Sequence, residues 1–188
     1  MKNFKLIMIQ ILFCTMAYGQ SGSNTPLTVG RICPDFKFTD VQHYAKTSVT
    51  INDFRGQWLI LDCWNRYCSS CLRKMPAMDS LQKKFQSKAK VVLIGYTGSQ
   101  YTKKSDDKPI RFLFEMNRKR LNLNLTIAYD SVFFHKFHIG ACPYIVVVDP
   151  NGIIRGITTE FTQEDFKNMM LGKPVELTKA YIWEKDNR

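Results

Sequence analysis

The stretch from Trp58 to Phe85 constrains this chain more than any other: W-L-I-L-D-C-W-N-R-Y-C-S-S-C-L-R-K-M-P-A-M-D-S-L-Q-K-K-F. Its apolar run, Leu59 to Leu61, is too short for a helix and suits a buried parallel strand. The chain then passes Asp62, Cys63 and Trp64, turns through Asn65 to Tyr67, and presents Cys68-Ser69-Ser70-Cys71. Behind that, Leu72, Met75, Met78, Leu81 and Phe85 fall near one face of a helix. A strand feeding a helix through C-x-x-C is the local pattern of a dithiol redox site. The first cysteine then stands at a helix N-terminus, where unpaired N–H groups and the helix dipole favour the thiolate.

The 188 residues can bury a good core in one domain. Residues 1–19 read as a signal peptide: Lys2 and Lys5 are the positive start, Leu6 to Met16 is apolar apart from Gln10 and Thr15, and Ala17-Tyr18-Gly19 suits a cut before Gln20. The run is short for a membrane anchor, and Leu12-Phe13 before Cys14 does not suit a lipoprotein site. The mature chain is therefore expected in the periplasm or another extracytoplasmic space, where conditions can be oxidising. Of six cysteines, Cys14 leaves with the signal. The others, Cys33, Cys63, Cys68, Cys71 and Cys142, are odd in number and scattered, which argues for one working pair on a core that needs no stapling. The formal charge of +11 becomes +9 without Lys2 and Lys5. Its basic patches (Lys83-Lys84, Lys88, Lys90; Lys103-Lys104, Lys108, Arg111; Arg118-Lys119-Arg120) lie on expected helix faces and a loop, with no nucleic-acid motif, and read as solvated surface.

Residues 20–28 form a small, polar leader. Two short strands are expected between Val29 and Phe54, then buried strands at Leu59–Leu61 and Val91–Gly95. Thr97 to Lys108 reads as a polar, mobile connection, and Pro109 as a first-turn proline opening a helix. A strand over Leu125–Ala128 and a short helix over Asp130–Phe137 follow. Tyr144 to Val148 is a further buried strand, Asp149-Pro150-Asn151-Gly152 a tight hairpin turn, and Ile153–Thr158 the returning strand. Thr162-Gln163-Glu164-Asp165 reads as a capping box, with the helix ending at Gly172. The alternation predicts an α/β fold with a central mixed sheet flanked by helices. A domain over 29–172 is expected, with 173–188 a tail or linker without a clear core role, as if leading to a further domain.

In these features the chain resembles the thioredoxin superfamily and, within it, the exported TlpA/ResA-like thiol–disulfide oxidoreductases, over roughly Val29 to Leu171. The carriers are the strand–C-x-x-C–helix unit of Leu59 to Phe85, Pro76 five residues beyond Cys71, the loop Ala141-Cys142-Pro143, and the strand–turn–strand from Tyr144 to Thr158. The resemblance implies a thioredoxin-like fold with an N-terminal strand extension and a central insert of one helix and one strand. It implies that Cys68 attacks a partner's disulfide, that Cys71 resolves the mixed disulfide, and that Asp62 accepts the proton from Cys71. It also implies a cis bond at Pro143, leaving backbone groups free to pair with a substrate segment. Tyr67, Cys142 and Pro143 are the expected substrate-binding residues.

The chain departs from the family's pattern in three places. Tyr67 replaces a tryptophan, Ser69-Ser70 replaces Gly-Pro, and Cys142 places a third thiol before the expected cis-proline. Cys142 reads either as a small apolar residue or as a thiol that exchanges with Cys68. Cys63 is expected in the core and Cys33 near the surface; Arg66 and Lys74 read as charges that help the thiolate or as solvated side chains. The competing class is a copper- or zinc-binding module using Cys68, Cys71 and Cys142 with His135 or His138, but the second ligand pair lacks close spacing. Copper carriers of this fold have C-x-x-x-C, and peroxidases of this fold need a threonine where Asn65 stands. The expectation is a monomeric reductase of protein disulfides, without metal or cofactor and without nucleic acid, supplied with electrons by a membrane donor.

Overall fold

The computed structural model describes residues 26–99 and 101–181; the expected signal peptide, most of the leader and the end of the tail lie outside them. Three two-residue strands come first: β1 (Lys37–Phe38), β2 (Val41–Gln42) and β3 (Val49–Thr50), where two had been expected. A 3-10 turn, Ile51–Phe54, follows under a Thr50/Asp53 capping box. The order then runs β4 (Trp58–Trp64), α1 (Ser69–Lys84), β5 (Ala89–Tyr96), α2 (Asp107–Leu121), β6 (Thr126–Asp130), α3 (Val132–Lys136), β7 (Tyr144–Val148), β8 (Ile154–Thr158) and α4 (Gln163–Met170).

The six-stranded sheet has the order β2-β6-β5-β4-β7-β8, with β1 and β3 forming a separate antiparallel pair. β4, β5 and β6 are parallel neighbours, joined by helical crossovers as parallel strands must be. β7 and β8 are antiparallel, as is β2 against β6. The expected mixed α/β sheet with a central insert, here α2 and β6, is therefore the one observed. β4 lies in the middle and is covered on both sides, so its near-continuous apolar sequence follows from its position.

Two apolar layers sandwich the sheet, and strand alternation assigns residues to them. Leu59, Leu61, Cys63, Val92, Ile94, Tyr144 and Val146 face a layer built from α3 and the N-terminal segment, rich in phenylalanine. Ile60, Trp64, Val91, Leu93, Ile145 and Val147 face α1, α2 and α4. Cys33 belongs to the first layer and is 1% exposed, not near the surface. Its N–H donates to the Gly152 carbonyl at 2.8 Å, which draws the leading segment under the β7–β8 turn. A local sequence window carries no sign of that pairing.

Several ends are fixed by side-chain chemistry. Asp149 Oδ1 accepts the N–H groups of Asn151 and Ile153, both at 2.9 Å, and Gly152 takes φ of 77° to close the turn. In α4, Asp165 N–H donates to Thr162 Oγ1 at 3.1 Å and Thr162 N–H to Asp165 Oδ2 at 2.8 Å, which is the reciprocal cap. α2 begins at Asp107, so Pro109 stands inside its first turn rather than at its first position. Residues beyond Gly172 return to the sheet: Thr159 N–H donates to Thr178 O at 3.1 Å, Ala180 is buried, and Leu177 packs on the α4 side. Gly156 makes room for it, since a Cβ there would stand 2.5 Å from Leu177 Cδ1.

Candidate active site

The site is assembled where β4 runs into α1. Alternation along β4 turns Asp62 toward the α1 layer, between Ile60 and Trp64, while Cys63 faces the opposite layer. After Trp64 the turn is closed by Asn65, a buried residue whose carbonyl accepts the Cys68 N–H at 3.1 Å. Its Oδ1 accepts the Tyr67 N–H at 2.9 Å. The turn delivers Cys68 to the N-cap of α1.

Cys68 and Cys71 are joined in a disulfide with their Cα atoms 5.3 Å apart. Cys68 Sγ accepts the Cys71 N–H at 3.2 Å and lies 3.4 Å from Ser70 Oγ. The sulfur occupies the place that a Ser or Asp oxygen takes at other helix starts. Once the disulfide is opened, the same donors and the positive end of the helix favour negative charge on Cys68. Cys71 lies one turn further in and is the more buried of the two, at 3% against 7% exposed.

Asp62 is 5% exposed, and burial pushes its carboxyl up from the ordinary 3.8 to about 7, against an opposing pull from Lys74. A carboxyl poised there takes and returns a proton near neutrality. Because the folded state holds the proton and the unfolded state gives it up near pH 4, stability falls as pH rises from about 4 through about 7.

The Cys142–Pro143 bond is cis. Cys142 is half-buried and packs against both apolar layers, so it bridges them at the active end of the sheet. Burial first, and then the Asp62 carboxylate, pushes its thiol up to about 12, and it stays protonated at neutral pH. Cys63 is fully buried, and its thiol is held well above the ordinary range by burial, then by Cys142 and Asp62. Burial likewise raises Cys33 to about 12. Cys142 therefore packs on the layer that holds Cys68 and Cys71 and feels the Asp62 carboxyl, while Cys33 and Cys63 belong to the opposite layer.

The flanking charges have partners distant in sequence. Arg66 has partners of its own: its guanidinium lies 4.3 Å above the Tyr67 ring, and Nε is 2.8 Å from Oδ1 of the buried Asp106. Tyr67, 42% exposed, meets Tyr101 edge to face with ring centroids 4.9 Å apart. The polar connection before α2 is thus tied to the active-site turn. Lys74 Nζ lies 2.5 Å from Glu160 Oε1. Asp106, Tyr101 and Glu160 escaped the sequence reading, since each meets the site only through the fold and none stands in a motif.

His135 Nε2 is 3.3 Å from the Tyr96 hydroxyl, and among the described residues no group of three or more His, Cys, Asp or Glu side chains is disposed to hold an ion. No helix among the described residues is long and apolar enough to cross a membrane.

Residues 29–157 match the AhpC/TSA family. Among named relatives, the thiol-disulfide oxidoreductase ResA of Geobacillus kaustophilus is 24% identical over 165 residues, covering 86% of this chain and 87% of its own. The thioredoxin-like protein YneN of Bacillus subtilis is 23% identical over 133 residues, covering 68% of this chain and 69% of its own. Among solved structures, the thioredoxin domain of a thiol-disulfide oxidoreductase from Bacteroides vulgatus superposes with a TM-score of 0.57 at 20% identity, covering 78% of this chain and 97% of that one. StoA from Bacillus subtilis does so with a TM-score of 0.55 at 20% identity, covering 73% and 96%.

Proposed function

We propose that this chain, which belongs to the AhpC/TSA family of thioredoxin-like proteins, works as an exported reductase of protein disulfides through Cys68 and Cys71. It is a thiol–disulfide oxidoreductase; the direction, the compartment and the residue roles are the proposed part. The observation that carries the reading is the Cys68–Cys71 disulfide capping α1, on the sheet face where Asp62 is buried.

In the reduced protein the Cys68 thiolate attacks one sulfur of a client disulfide. The client S–S bond breaks, a mixed disulfide forms at Cys68, and the departing client thiolate takes a proton from solvent. Asp62, as carboxylate, then accepts the Cys71 proton. Cys71 attacks Cys68 Sγ and releases the second client thiolate, which takes up a proton in turn. Two electrons have passed to the client, the Cys68–Cys71 disulfide remains, and Asp62 returns its proton to solvent. A membrane dithiol donor restores the reduced form. Tyr67, next to Cys68 in the chain, together with Cys142 and Pro143 before β7, serves as the client's docking edge, and the chain acts as a monomer. The apolar run and small-residue cut site of the first nineteen residues support export.

The test is a redox titration in defined thiol buffers, with mass spectrometry of alkylated peptides to identify the pair. A Cys68–Cys71 couple at or below about −250 mV is the expected result. A couple between about −180 and −120 mV would make the protein an oxidant or isomerase instead. Failure of the two cysteines to pair would remove the catalytic reading altogether.

A further inference from the structure

Asp62 is enclosed almost wholly by groups that give it nothing to ionise against. From β5 and β7 its paired neighbours are Leu93 and Ile145. From the loop before β7 comes the Cys142 thiol, and on β4 itself the Cys63 thiol lies on the opposite face. From α1 comes Lys74, the positive charge that acts on the carboxyl. Yet Lys74 is not free to spend its charge there. Its ammonium lies 2.5 Å from Glu160, in a pair whose side chains are 35% and 63% exposed.

Glu160 is held in place for this. Thr158, fully buried at the end of β8, donates its hydroxyl to Glu160 O at 2.9 Å or to Thr178 O at 2.8 Å, and its oxygen accepts the Glu160 N–H at 3.2 Å. The backbone of residue 160 is thus pinned between the sheet edge and the returning tail, and its carboxylate stands at the rim of the site. An exposed ion pair contributes little to stability. Its effect on a third, buried charge is another matter, because the field of Lys74 at Asp62 passes through low-dielectric protein and depends on where Glu160 holds the ammonium.

We propose that Glu160 is a positioning residue for the proton step: by drawing Lys74 to the surface it limits the pull of the ammonium on Asp62, so that Asp62 can hold the proton it receives from Cys71. This rests on the reading of Asp62 as proton acceptor. Without Glu160, the ammonium of Lys74 is released to approach Asp62 and favours the carboxylate. Without Lys74, the carboxylate loses a cationic neighbour and the protonated form gains.

The two ends of the pair therefore have opposite effects, which a merely structural role does not produce. The Asp62 carboxyl is followed by carbon NMR of the oxidised, aspartate-labelled protein across pH, with Asp62→Asn to assign the signal. Glu160→Gln is expected to lower the titration midpoint by a few tenths of a pH unit or more. Lys74→Met is expected to raise it, Lys74→Arg to restore it, and the double variant to match Lys74→Met, since Glu160 acts only through Lys74. The pH profile of mixed-disulfide resolution in the reduced protein should move in the same directions. Midpoints that move together, or stay put, overturn the proposal; so does a Glu160→Gln shift that persists in the Lys74→Met background. The NMR titration needs no turnover, so a protein that fails to reduce disulfides while its midpoints move as stated counts against the reductase reading and supports the coupling.

Discussion

Asp62 and Cys63 are consecutive residues of one strand, both almost fully buried, and they belong to different chemistries. Asp62 faces the layer that contains α1, the disulfide and a lysine, and its carboxyl is poised near neutrality. Cys63 faces the layer of Phe38, Phe133, Phe137 and Cys33, where its thiol is driven far from ionisation. One side of the sheet is a packed aromatic support, with Phe36, Phe38, Phe133 and Phe137 in mutual edge or tilted contact at 4.9 to 6.1 Å. The other keeps a buried acid, which costs stability at neutral pH. The lesson is that stability and reactivity are separated across the sheet, and a side-chain alternation of one residue divides them.

The sharpest way to break this contrast is to exchange equivalent changes between the faces. Cys68→Ser is expected to lower disulfide-reductase turnover by about a thousandfold or more, because it removes the attacking sulfur. Cys63→Ser and Cys33→Ser should stay within about threefold per folded molecule, since neither thiol reaches the client. An insulin-reduction assay on all three variants checks this, and a comparable loss with Cys63→Ser would end the division of labour.

The reverse asymmetry is expected for packing. Phe133 is fully buried among three other rings, so Phe133→Ala should cost about 3–5 kcal/mol in urea unfolding of the oxidised protein. The rate of alkylation of Cys68 in the reduced, still folded variant should be unchanged. A changed rate would mean that the aromatic layer shapes the site as well as supporting it.

Asp62→Asn is expected to stabilise the oxidised protein at pH 8, by at most about 4 kcal/mol for a carboxyl moved some three units. The gain should shrink as pH falls through about 7 and disappear below about 4, where both folded and unfolded chains carry the proton. Unfolding curves at pH 4, 6 and 8 measure it; a pH-independent gain would show that ionisation is not the cause. The smallest change concerns the α4 cap on the same face. Thr162→Ala should cost about 1 kcal/mol by removing the acceptor for the Asp165 N–H, and leave the Asp62 titration in place. A shift of that titration would tie α4 to the site more closely than the cap alone explains.

Much of this arrangement was legible because it is local. The C-x-x-C at a strand–helix junction, the Thr162/Asp165 box and the Asp149–Gly152 turn each depend on residues a few positions apart. The buried run of β4 was also readable, but not the side of the sheet on which Asp62 lies, because both faces of that strand are covered and its sequence is nearly continuously apolar. Cys33 was misplaced because its burial is decided by a hydrogen bond to Gly152, far along the chain. The tail was undervalued for the same reason: Leu177 finds its place only because Gly156 leaves a gap on the strand before α4.

By itself, then, the sequence determined the sulfur pair and the strand–helix junction that holds it, since propensity and pattern act over short separations, and the family resemblance pointed to the acid at Asp62. The tertiary structure alone decided which charges attend them. Arg66 is taken by Asp106, Lys74 by Glu160, and Cys142 is set against Asp62. Charge pairs form wherever the fold brings side chains within reach, and fields in a low-dielectric interior depend on distance in space, to which separation along the chain is no guide.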